Sequence, residues 1–408
     1  MKILKITKRA VKANEKQMLA TAEDVNIQIE DNYTYVNEYY LGISNLFRLF
    51  EYILIICTLL FAVGCVMAHP EIVSYNNFLM FVKDFNTSTI DTAYYTEIVY
   101  DTDRTEEISL YRGGVVVPGS DSVFVFTATG RLAYTDKHSF ADPRLEVSDS
   151  VSLLYDFSST SYSLYNSYMR VYRGESEHPI YACSLSDSGR YAFVLKKSDG
   201  KFGVAVYSED NVRIAAFESD KYVISAALSK DGEKLAVFSL GVANGERYSE
   251  LKIYDCTDGG LLSQTKNEHV QPLTCGFFDD GSVYALTDKK MIFIDSSFEM
   301  TSYREIKNAS SVSLIGNYLA VRTSGTLTVM NSSGETVTEK SLSTDTVSFT
   351  VIEDTLFVLS GSYVTRTDIT SGTEERIEIN KSYDRILATS KKHVILCGVS
   401  GASLTDFD

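Results

Sequence analysis

The sequence predicts an all-β protein: a β-propeller of about eight four-stranded blades, preceded by one transmembrane helix. Three observations carry this prediction. A phrase of eleven residues occurs twice in nearly the same form, a short alternating run recurs about every 40 residues, and one uncharged apolar run lies near the amino end. The first two indicate repeated β-structure, and the third indicates a membrane span.

Composition and charge narrow the class of protein. The 408-residue chain has 44% hydrophobic and 23% charged residues, a balance typical of a globular core. The net charge is −16, and after residue 49 the chain has 31 basic and 48 acidic residues. This acidity argues against nucleic acid or anionic lipid as the main partner of the larger part.

The cysteines do not indicate a metal or redox site. None of the six forms a CxxC pair, so neither a zinc site nor a redox dithiol is expected. Cys183 and Cys397 lie in apolar runs, where we expect small buried side chains. A disulfide stays open as an alternative if this part lies outside the cytoplasm.

The amino-terminal part predicts one membrane span and its direction. Residues 46–68 read "LFRLFEYILIICTLLFAVGCVMA", and the uncharged portion with its preceding turn is long enough, as a helix, for the roughly 30 Å of hydrocarbon. Seven basic residues precede the uncharged portion and few follow it closely. By the positive-inside rule we expect residues 1–45 in the cytoplasm and everything after the span outside. The predicted divisions are a cytoplasmic segment 1–45, a transmembrane helix 46–68, a linker 69–95 and an extracytoplasmic propeller 96–408.

The repeated phrase reads "SLSDSGRYAFV" at 184–194 and "ALSKDGEKLAV" at 227–237. Ser, Asp and Gly favour a tight turn, and the alternating apolar residues that follow favour a strand. After each phrase comes a short alternating run that ends in a polar residue. Such runs end at Thr127, Asn166, Ser208, Asp255, Asp295, Asn331, Asp368 and Asp406. Their mean spacing of about 40 residues is the length of a four-stranded blade.

Eight such runs predict eight blades, with seven as the alternative. The last unit lacks a fourth strand before the chain ends, and "TEIVYD" at 96–101 alternates suitably to supply it. A seam of this kind joins both ends of the propeller in one sheet and removes an exposed edge. We therefore predict that deletion of 96–101 destabilises the propeller, whereas removal of 406–408 has little effect.

Three segments also carry a resemblance: "LLYDFSSTSYSLYNS" (153–167), "PIYACSLSDSGRYAFV" (179–194) and "YVISAALSKDGEKLAV" (222–237). They resemble an uncharacterised bacterial family, a domain of unknown function, whose members are single-span membrane proteins with a propeller-like extracytoplasmic domain. The resemblance covers most of the chain after the span and is strongest over 153–255. It implies the fold and the topology, and it brings no catalytic residue with it.

Local signatures of catalysis are absent from the sequence. The five histidines form no HExxH motif, and no GxSxG elbow, P-loop or GxGxxG turn occurs. We therefore predict no catalytic, cofactor-binding or metal-ligating residue and no cofactor. Propeller enzymes assemble sites from distant loops, so catalysis stays open as an alternative.

Three segments are possible binding features, each with a structural explanation that we prefer. "YDTDRTEE" (100–107) has the oxygen donors that calcium requires, but a solvated acidic turn explains it. "SYSLYNSYMRVY" (161–172) has four tyrosines that would form an aromatic platform, although cross-strand packing explains them. "SLGVANGERYSE" (239–250) predicts an extended hairpin, which is either a binding loop or a tolerated insertion.

The predicted function is a binding or scaffolding module at the cell envelope, with an unknown envelope protein or glycan as its partner. A rigid ring of blades with loops on both faces suits recognition. The alternatives are an extracytoplasmic enzyme acting on glycan or peptide, with two carboxylates facing each other across the channel, and a sensor reporting across the membrane.

Overall fold

The computed structural model describes residues 46–61, 63–64, 97–127, 130–167 and 169–407. The chain divides into two compact units, Met1–Val82 and Lys83–Asp408. The predicted cytoplasmic segment 1–45 and the predicted linker 69–95 lie outside the described residues. The boundaries predicted from the sequence therefore stay predictions.

The described part of the first unit is a helix over residues 46–61 and 63–64. It falls within the predicted span, of which residues 62 and 65–68 lie outside the described residues. Its apolar side chains are exposed, Phe47 at 72% and Phe61 at 74% among them. Within the described part of the chain, no helix is both long and apolar enough to cross a membrane, so the predicted transmembrane helix is not supported.

The second unit is all β. In the part of the chain that the structure describes, its strands form eight four-stranded sheets, the blades. After β1 (Ile98–Val99) and a 3-10 turn at Thr105–Glu107, blades 1 to 4 are formed by β2 (Ser109–Tyr111), β3 (Gly114–Pro118), β4 (Ser122–Phe126), β5 (Leu132–Lys137); β6 (Pro143–Val147), β7 (Ser152–Asp156), β8 (Ser161–Tyr165), β9 (Arg170–Glu175); β10 (Ile180–Leu185), β11 (Tyr191–Lys196), β12 (Phe202–Tyr207), β13 (Arg213–Ser219); β14 (Tyr222–Leu228), β15 (Lys234–Ala243), β16 (Glu246–Asp255), β17 (Leu261–Glu268).

Blades 5 to 8 follow the same order. Their strands are β18 (Pro272–Phe277), β19 (Val283–Thr287), β20 (Lys290–Ile294), β21 (Met300–Glu305); β22 (Ser311–Ile315), β23 (Tyr318–Arg322), β24 (Thr326–Asn331), β25 (Thr336–Ser341); β26 (Thr346–Ile352), β27 (Thr355–Ser360), β28 (Tyr363–Asp368), β29 (Glu374–Glu378); and β30 (Arg385–Ala388), β31 (His393–Cys397), β32 (Gly401–Asp406).

Each blade is an antiparallel meander, with its first strand innermost. The eight alternating runs singled out in the sequence fall at the third strands, from β4 in blade 1 to β32 in blade 8. The all-β propeller of eight blades is therefore confirmed, and the alternative of seven is wrong. The repeat could be recognised in the sequence because each blade is formed by about 40 consecutive residues.

The seam lies where it was predicted. β1 is the outermost strand of blade 8 and pairs with β32, with Ile98 opposite Ala402. The position of Phe407 argues against the expectation that removal of residues 406–408 has little effect, which stays to be tested by unfolding. The Phe407 side chain is 3% exposed and packs against Phe357, and its backbone N–H donates to the Lys392 carbonyl over 2.8 Å. Phe407 is therefore buried between blades 7 and 8.

The core is divided among the blade interfaces. Among the described residues there are eight apolar clusters, and each joins two neighbouring blades. The cluster between blades 8 and 1 contains Ile98, Val115 and Leu387, so apolar packing as well as strand pairing closes the ring. The middle strands are apolar on both faces because both faces are covered, as in β11, where five consecutive residues are buried.

The meander fixes two faces of the propeller. First-to-second and third-to-fourth strand turns lie at one face, which we call the turn face. The innermost strands begin at the opposite face, around the end of the central channel, which we call the channel mouth. Side chains at the start of β6, β10, β14, β18, β26 and β30 therefore meet there.

Candidate functional site

The repeated phrase forms first-to-second strand turns on the turn face, as predicted. The turns of successive blades are bonded to one another: the Asp187 N–H donates to the Lys230 carbonyl over 3.0 Å, and the Asp279 N–H donates to the Gly316 carbonyl over 3.2 Å. The Lys230 ammonium lies 3.3 Å from the Asp279 carboxylate and 3.7 Å from that of Asp187. The phrase is therefore a structural link between blades 3, 4, 5 and 6.

A polar cleft of about 520 Å³ lies among these turns, between blades 3, 4 and 5. Asp231 and Asp280 line it, but their carboxylates are already bonded. Asp231 accepts from Ser229 Oγ and the Glu233 N–H, and although burial opposes the effect, these bonds hold the pKa of Asp231 below its usual value. The carboxylates that line the cleft are used in hydrogen bonds within the turns. The cleft is therefore a weaker candidate for a binding site than the channel mouth.

The channel mouth has an irregular apolar half. In β10, β14, β18 and β26 a β-bulge near the start of the strand leaves one residue without a partner on the second strand. The residues skipped by the pairing are Tyr181, Ile224, Leu273 and Val347. Bulges redirect side chains and are frequent beside functional sites. The other four innermost strands, all within the described residues, pair in regular register.

Three of the four bulge residues are exposed to solvent: Ile224 at 40%, Leu273 at 39% and Val347 at 41%. Tyr181 instead packs between Phe157 and Phe202, with ring centroids 5.4 and 5.8 Å away. An innermost strand is covered by its own blade and both neighbours, so solvent reaches it from the channel or its open end. The three aliphatic side chains therefore present apolar surface at the mouth.

The other half of the mouth is charged and comes from blades 8, 1 and 2. Glu107 precedes β2 and forms an ion pair with Arg144 of β6 at 2.8 Å. Its second oxygen accepts from the Leu145 N–H over 3.1 Å. Beside this pair, Arg104 and Asp142 form another at 2.6 Å. These contacts hold Glu107 against the free edge of β6.

Two further ionisable side chains lie in this half of the propeller. With the residues that the structure describes, the side chains of Glu146 and Arg385 form neither a hydrogen bond nor an ion pair. Burial raises the pKa of Glu146 to about 8, with a further contribution from the Glu107 carboxylate. Burial lowers the pKa of Arg385, against the opposing effects of Cys397, Glu107 and Glu106. Shielding a cation from water without an ion pair costs free energy of folding. Groups of this kind occur at functional sites, where a ligand supplies the opposite charge.

Hydroxyl groups support the mouth from behind. The Cys275 N–H donates to Ser225 Oγ over 3.4 Å, and the Ile386 N–H donates to Ser348 Oγ over 3.4 Å. Each bond joins the innermost strands of neighbouring blades. Glu107 provides the same kind of link between blades 1 and 2. The mouth is therefore held rigid by bonds from blade to blade.

Comparison with known protein families places the chain. Residues 84–403 match the model described as a family of unknown function, DUF5711. The chain belongs to the DUF5711 family. The matched region begins before β1 and ends within β32, so it spans all eight blades of this DUF5711 protein. No curated protein matches the sequence.

Solved structures share the fold at low identity. BamB from Moraxella catarrhalis is 12% identical with a TM-score of 0.54, and the alignment covers 77% of this chain and 98% of BamB. The Dos1 propeller is 9% identical with a TM-score of 0.54, covering 76% of this chain and 94% of the other. At these identities the likeness shows the propeller fold alone.

The acidic segment 100–107 connects blade 8 to blade 1 in this DUF5711 structure. Asp101 and Asp103 are exposed, as expected of a solvated turn, whereas the side chain of Glu107 is only 14% exposed and paired with Arg144. The described residues contain no group of three or more His, Cys, Asp or Glu that could hold a metal ion. The preferred explanation therefore holds for part of the segment, and Glu107 belongs to the channel mouth.

The tyrosine segment 161–172 packs in the core instead of forming a platform. Tyr162 lies 5.8 Å from Tyr172 on the adjacent strand and 4.9 Å from Phe193 in the next blade, centroid to centroid. The Tyr165 hydroxyl donates to Asp136 over 3.0 Å. Tyr168 lies outside the described residues. The preferred explanation, packing of the tyrosines against neighbouring strands, is confirmed. The packing extends across the interface to the next blade as well as within the sheet.

The segment 239–250 is an extended hairpin, as predicted. β15 and β16 are ten residues long, and Asn244 and Gly245 form the turn with φ of 55° and 82°. A cation-π contact of 4.2 Å joins Lys266 to Tyr248 at its base. The hairpin projects at the same face as the channel mouth, on blade 4.

Sequence reasoning missed the residues of the channel mouth. The bulges left a weak pattern in the sequence. In "YVIS", "PLTC" and "TVSF" an apolar residue stands directly before a serine or threonine. Arg385 and Glu146 left none, because nothing in the local sequence brings blades 8, 1 and 2 together.

Proposed function

We propose that this propeller is a binding module of the cell envelope that holds a partner protein at its channel mouth. One observation carries the proposal: exposed Ile224, Leu273 and Val347 share the mouth with Arg385, which lacks an ion pair among the described residues. The exposed aliphatic groups leave apolar area unburied, and a shielded, unpaired charge is costly. A bound partner would compensate for both.

The mouth suits recognition because it is preorganised. Backbone N–H groups of Cys275 and Ile386 donate to serine hydroxyls of the neighbouring innermost strands. Arg322 donates to the Thr346 carbonyl over 2.8 Å, which fixes the bulge of blade 7. A rigid site loses little conformational entropy on binding. This also favours a scaffolding role, because the geometry presented to a partner stays constant.

The proposal includes attachment to the membrane through residues 46–68, with residues 1–45 in the cytoplasm and the propeller outside. Support comes from the basic residues before the apolar run and from the apolar side chains exposed along residues 46–61. The sensor alternative would use residues 1–45, which lie outside the described residues, and it stays a prediction.

Cysteine labelling in intact cells tests the orientation. Gly241 is unsuitable as the label site because a side chain there would overlap the Tyr248 ring. Val242 is 67% exposed near the hairpin tip, so Val242→Cys in a Cys57→Ser, Cys65→Ser background is the better choice. We expect an impermeant maleimide to label it in intact cells. Labelling after lysis alone would refute the outward orientation.

Site-specific photocrosslinking of the full chain in cells tests the binding site. A benzoylphenylalanine replaces Leu273 at the mouth or, as a matched control, Leu262 on β17, which is 43% exposed. We expect a defined crosslinked species from position 273 and none from 262. The same species from both positions, or none from 273, would contradict the proposal.

A matched set of substitutions tests the apolar contacts. The mouth variant is Ile224→Ser, Leu273→Ser, Val347→Ser, crosslinked through Tyr222, which is 59% exposed beside them. The control is Ile214→Ser, Leu262→Ser, Val337→Ser, the same residue types on outermost strands at 41%, 43% and 40% exposure. We expect the crosslink to disappear in the mouth variant alone.

An enzyme acting on glycan is the second candidate, favoured by one observation. Glu107 is an ion-paired carboxylate and Glu146 has a pKa of about 8, the divided pair that acid-base catalysis uses. They lie on adjacent blades, however, since Glu107 bonds to Leu145, so they do not face each other across the channel. Hydrolysis of cell-wall glycan fragments by the full chain, abolished by Glu146→Gln, would favour this candidate over binding alone.

A further inference from the structure

We propose that the channel mouth binds an extended peptide by its carboxyl end, with apolar side chains on Ile224, Leu273 and Val347 and the terminal carboxylate on Arg385. This inference rests on the proposed function and names the chemistry of the partner. The juxtaposition on which it depends is that of Arg385 with the bulge of blade 7.

The two halves of the mouth meet at blades 7 and 8. The Ile386 N–H donates to Ser348 Oγ over 3.4 Å, so Arg385 and Val347 occupy neighbouring positions on adjacent innermost strands. A ligand whose anionic end pairs with Arg385 therefore begins beside Val347. Continuing round the mouth, it meets Leu273 of blade 5 and Ile224 of blade 4.

The charge at this place favours an anion. Glu107 is paired with Arg144, and Asp142 is paired with Arg104. Glu146 lies near Glu107, Tyr155 and Cys183, and burial together with the Glu107 charge raises the pKa of Glu146 to about 8, which favours its neutral form. Glu106 and Glu107 lie near enough to raise the pKa of Arg385, but the guanidinium forms neither a hydrogen bond nor an ion pair with the described residues. A carboxylate supplies an ion pair, with two parallel hydrogen bonds to the planar guanidinium.

The polar groups between the apolar ones favour a peptide over a fatty acid. The residue after each exposed bulge residue is Ser225, Thr274 or Ser348, all partly exposed. A peptide backbone has amide groups that form hydrogen bonds with such hydroxyls. A hydrocarbon chain would remove water from the hydroxyls and form no hydrogen bond in its place. Three separate aliphatic contacts on three blades also match side chains spaced along an extended chain.

The test uses the purified full chain and pools of random hexapeptides with a free carboxyl end, beside the same pools with a carboxamide end. We expect enrichment of peptides with apolar side chains from the free-acid pool. For the best peptide, amidation should weaken binding at least about tenfold, as expected for loss of a charge-assisted contact. Equal enrichment from both pools, or none from either, would overturn the inference.

Arg385→Leu should weaken binding of the free-acid peptide by a similar factor. In this variant amidation of the peptide should no longer change the affinity, because the two changes remove the same contact. Arg385→Lys should restore part of the affinity. Arg131→Leu, at an exposed position on the turn face, is the control and should change nothing. A free peptide that binds Arg385→Leu as tightly as the native chain refutes the assignment, and the effect of amidation in the native chain tests it without any variant.

Decanoate in competition decides between peptide and lipid. Displacement of the peptide only at concentrations that form micelles supports the peptide, and tight saturable binding of decanoate with no preference for either peptide pool overturns it. Failure of this inference is distinguishable from failure of the proposed function. If the crosslink from position 273 persists while amidation has no effect, a partner binds at the mouth through other chemistry.

Discussion

Ile98 of β1 lies opposite Ala402 of β32, and the closure of the ring depends on this short pairing. The neighbouring Gly401 permits it, because a Cβ at that position would stand 2.5 Å from the Ile98 carbonyl oxygen. A backbone atom cannot move aside as a flexible side chain can. The seam therefore requires glycine for close approach of two strands.

Gly401→Ala should lower the free energy of unfolding of the propeller by about 1–3 kcal/mol, the usual range for forced overpacking. Gly361→Ala is the matched control, since nothing lies within 4 Å of its Cβ position, and it should change stability by less than about 0.5 kcal/mol. Urea unfolding followed by tyrosine fluorescence measures both, because the chain has 27 Tyr and no Trp. Equal effects of the two substitutions would show that the seam is not under this steric constraint.

Phe407→Ala should destabilise the propeller by about 3 kcal/mol, because it removes a buried aromatic side chain from the interface of blades 7 and 8. Val399→Ala in the same blade, 54% exposed, should have little effect. The urea midpoints of the two variants check this. Native stability in Phe407→Ala would mean that the carboxyl end is dispensable, as the sequence alone suggested.

The repeating architecture was predictable from the sequence because each blade is specified locally. The turn at Asp187 and the run ending at Ser208 belong to one unit, and their signals recur in the next. Burial of Phe407 was not predictable, since it depends on Phe357, a residue of the preceding blade. A hydrophobic residue near a chain end carries no local signal of such a contact.

The candidate site was less predictable for a related reason. Arg144 pairs with Glu107 across 37 residues, and Arg385 reaches the same mouth only because the ring closes. The bulges depend on register: Ile224 is skipped because Val223 pairs with Ser239 while Ser225 pairs with Phe238. A slip of one position in pairing is a property of two strands together, whereas periodicity describes one strand at a time.

The repeated phrase gives a prediction of its own. Gly232 has φ of 72°, and a Cβ there would lie 2.9 Å from Ser186 Oγ, Ser188 Oγ and Arg190 Cδ of the preceding blade. Gly232→Ala should therefore cost about 2–3 kcal/mol, part of it from the left-handed backbone and part from crowding.

Gly200→Ala separates the two causes. Gly200 has φ of 83° but nothing within 4 Å of its Cβ position, so its substitution should cost about 1 kcal/mol from the backbone alone. The difference between the two urea-derived free energies reports how tightly the turns of blades 3 and 4 pack. Equal values would mean that the crowding relaxes freely.

The last prediction concerns the Glu146 carboxyl, whose pKa rises from 4.5 to about 8 on folding because burial disfavours its charge and Glu107 repels it. The folded state thus binds a proton more tightly than the unfolded state does. Stability should therefore fall as pH rises from about 4.5 to about 8 and then level off. Glu146→Gln, which resembles the protonated form, should remove this dependence.

The free energy of unfolding of the variant should equal that of the native chain near pH 4.5 and exceed it by about 2 kcal/mol at pH 9. The difference is smaller than full burial would give, because solvent in the channel screens the charge. Urea unfolding at pH 5, 7 and 9 provides the measurement, with Glu378→Gln on an exposed position of β29 as the control. A constant difference between variant and native chain across this range would show that Glu146 is ionised in the folded propeller. It would then compete with a bound carboxylate for Arg385, and the site would favour a cationic ligand instead.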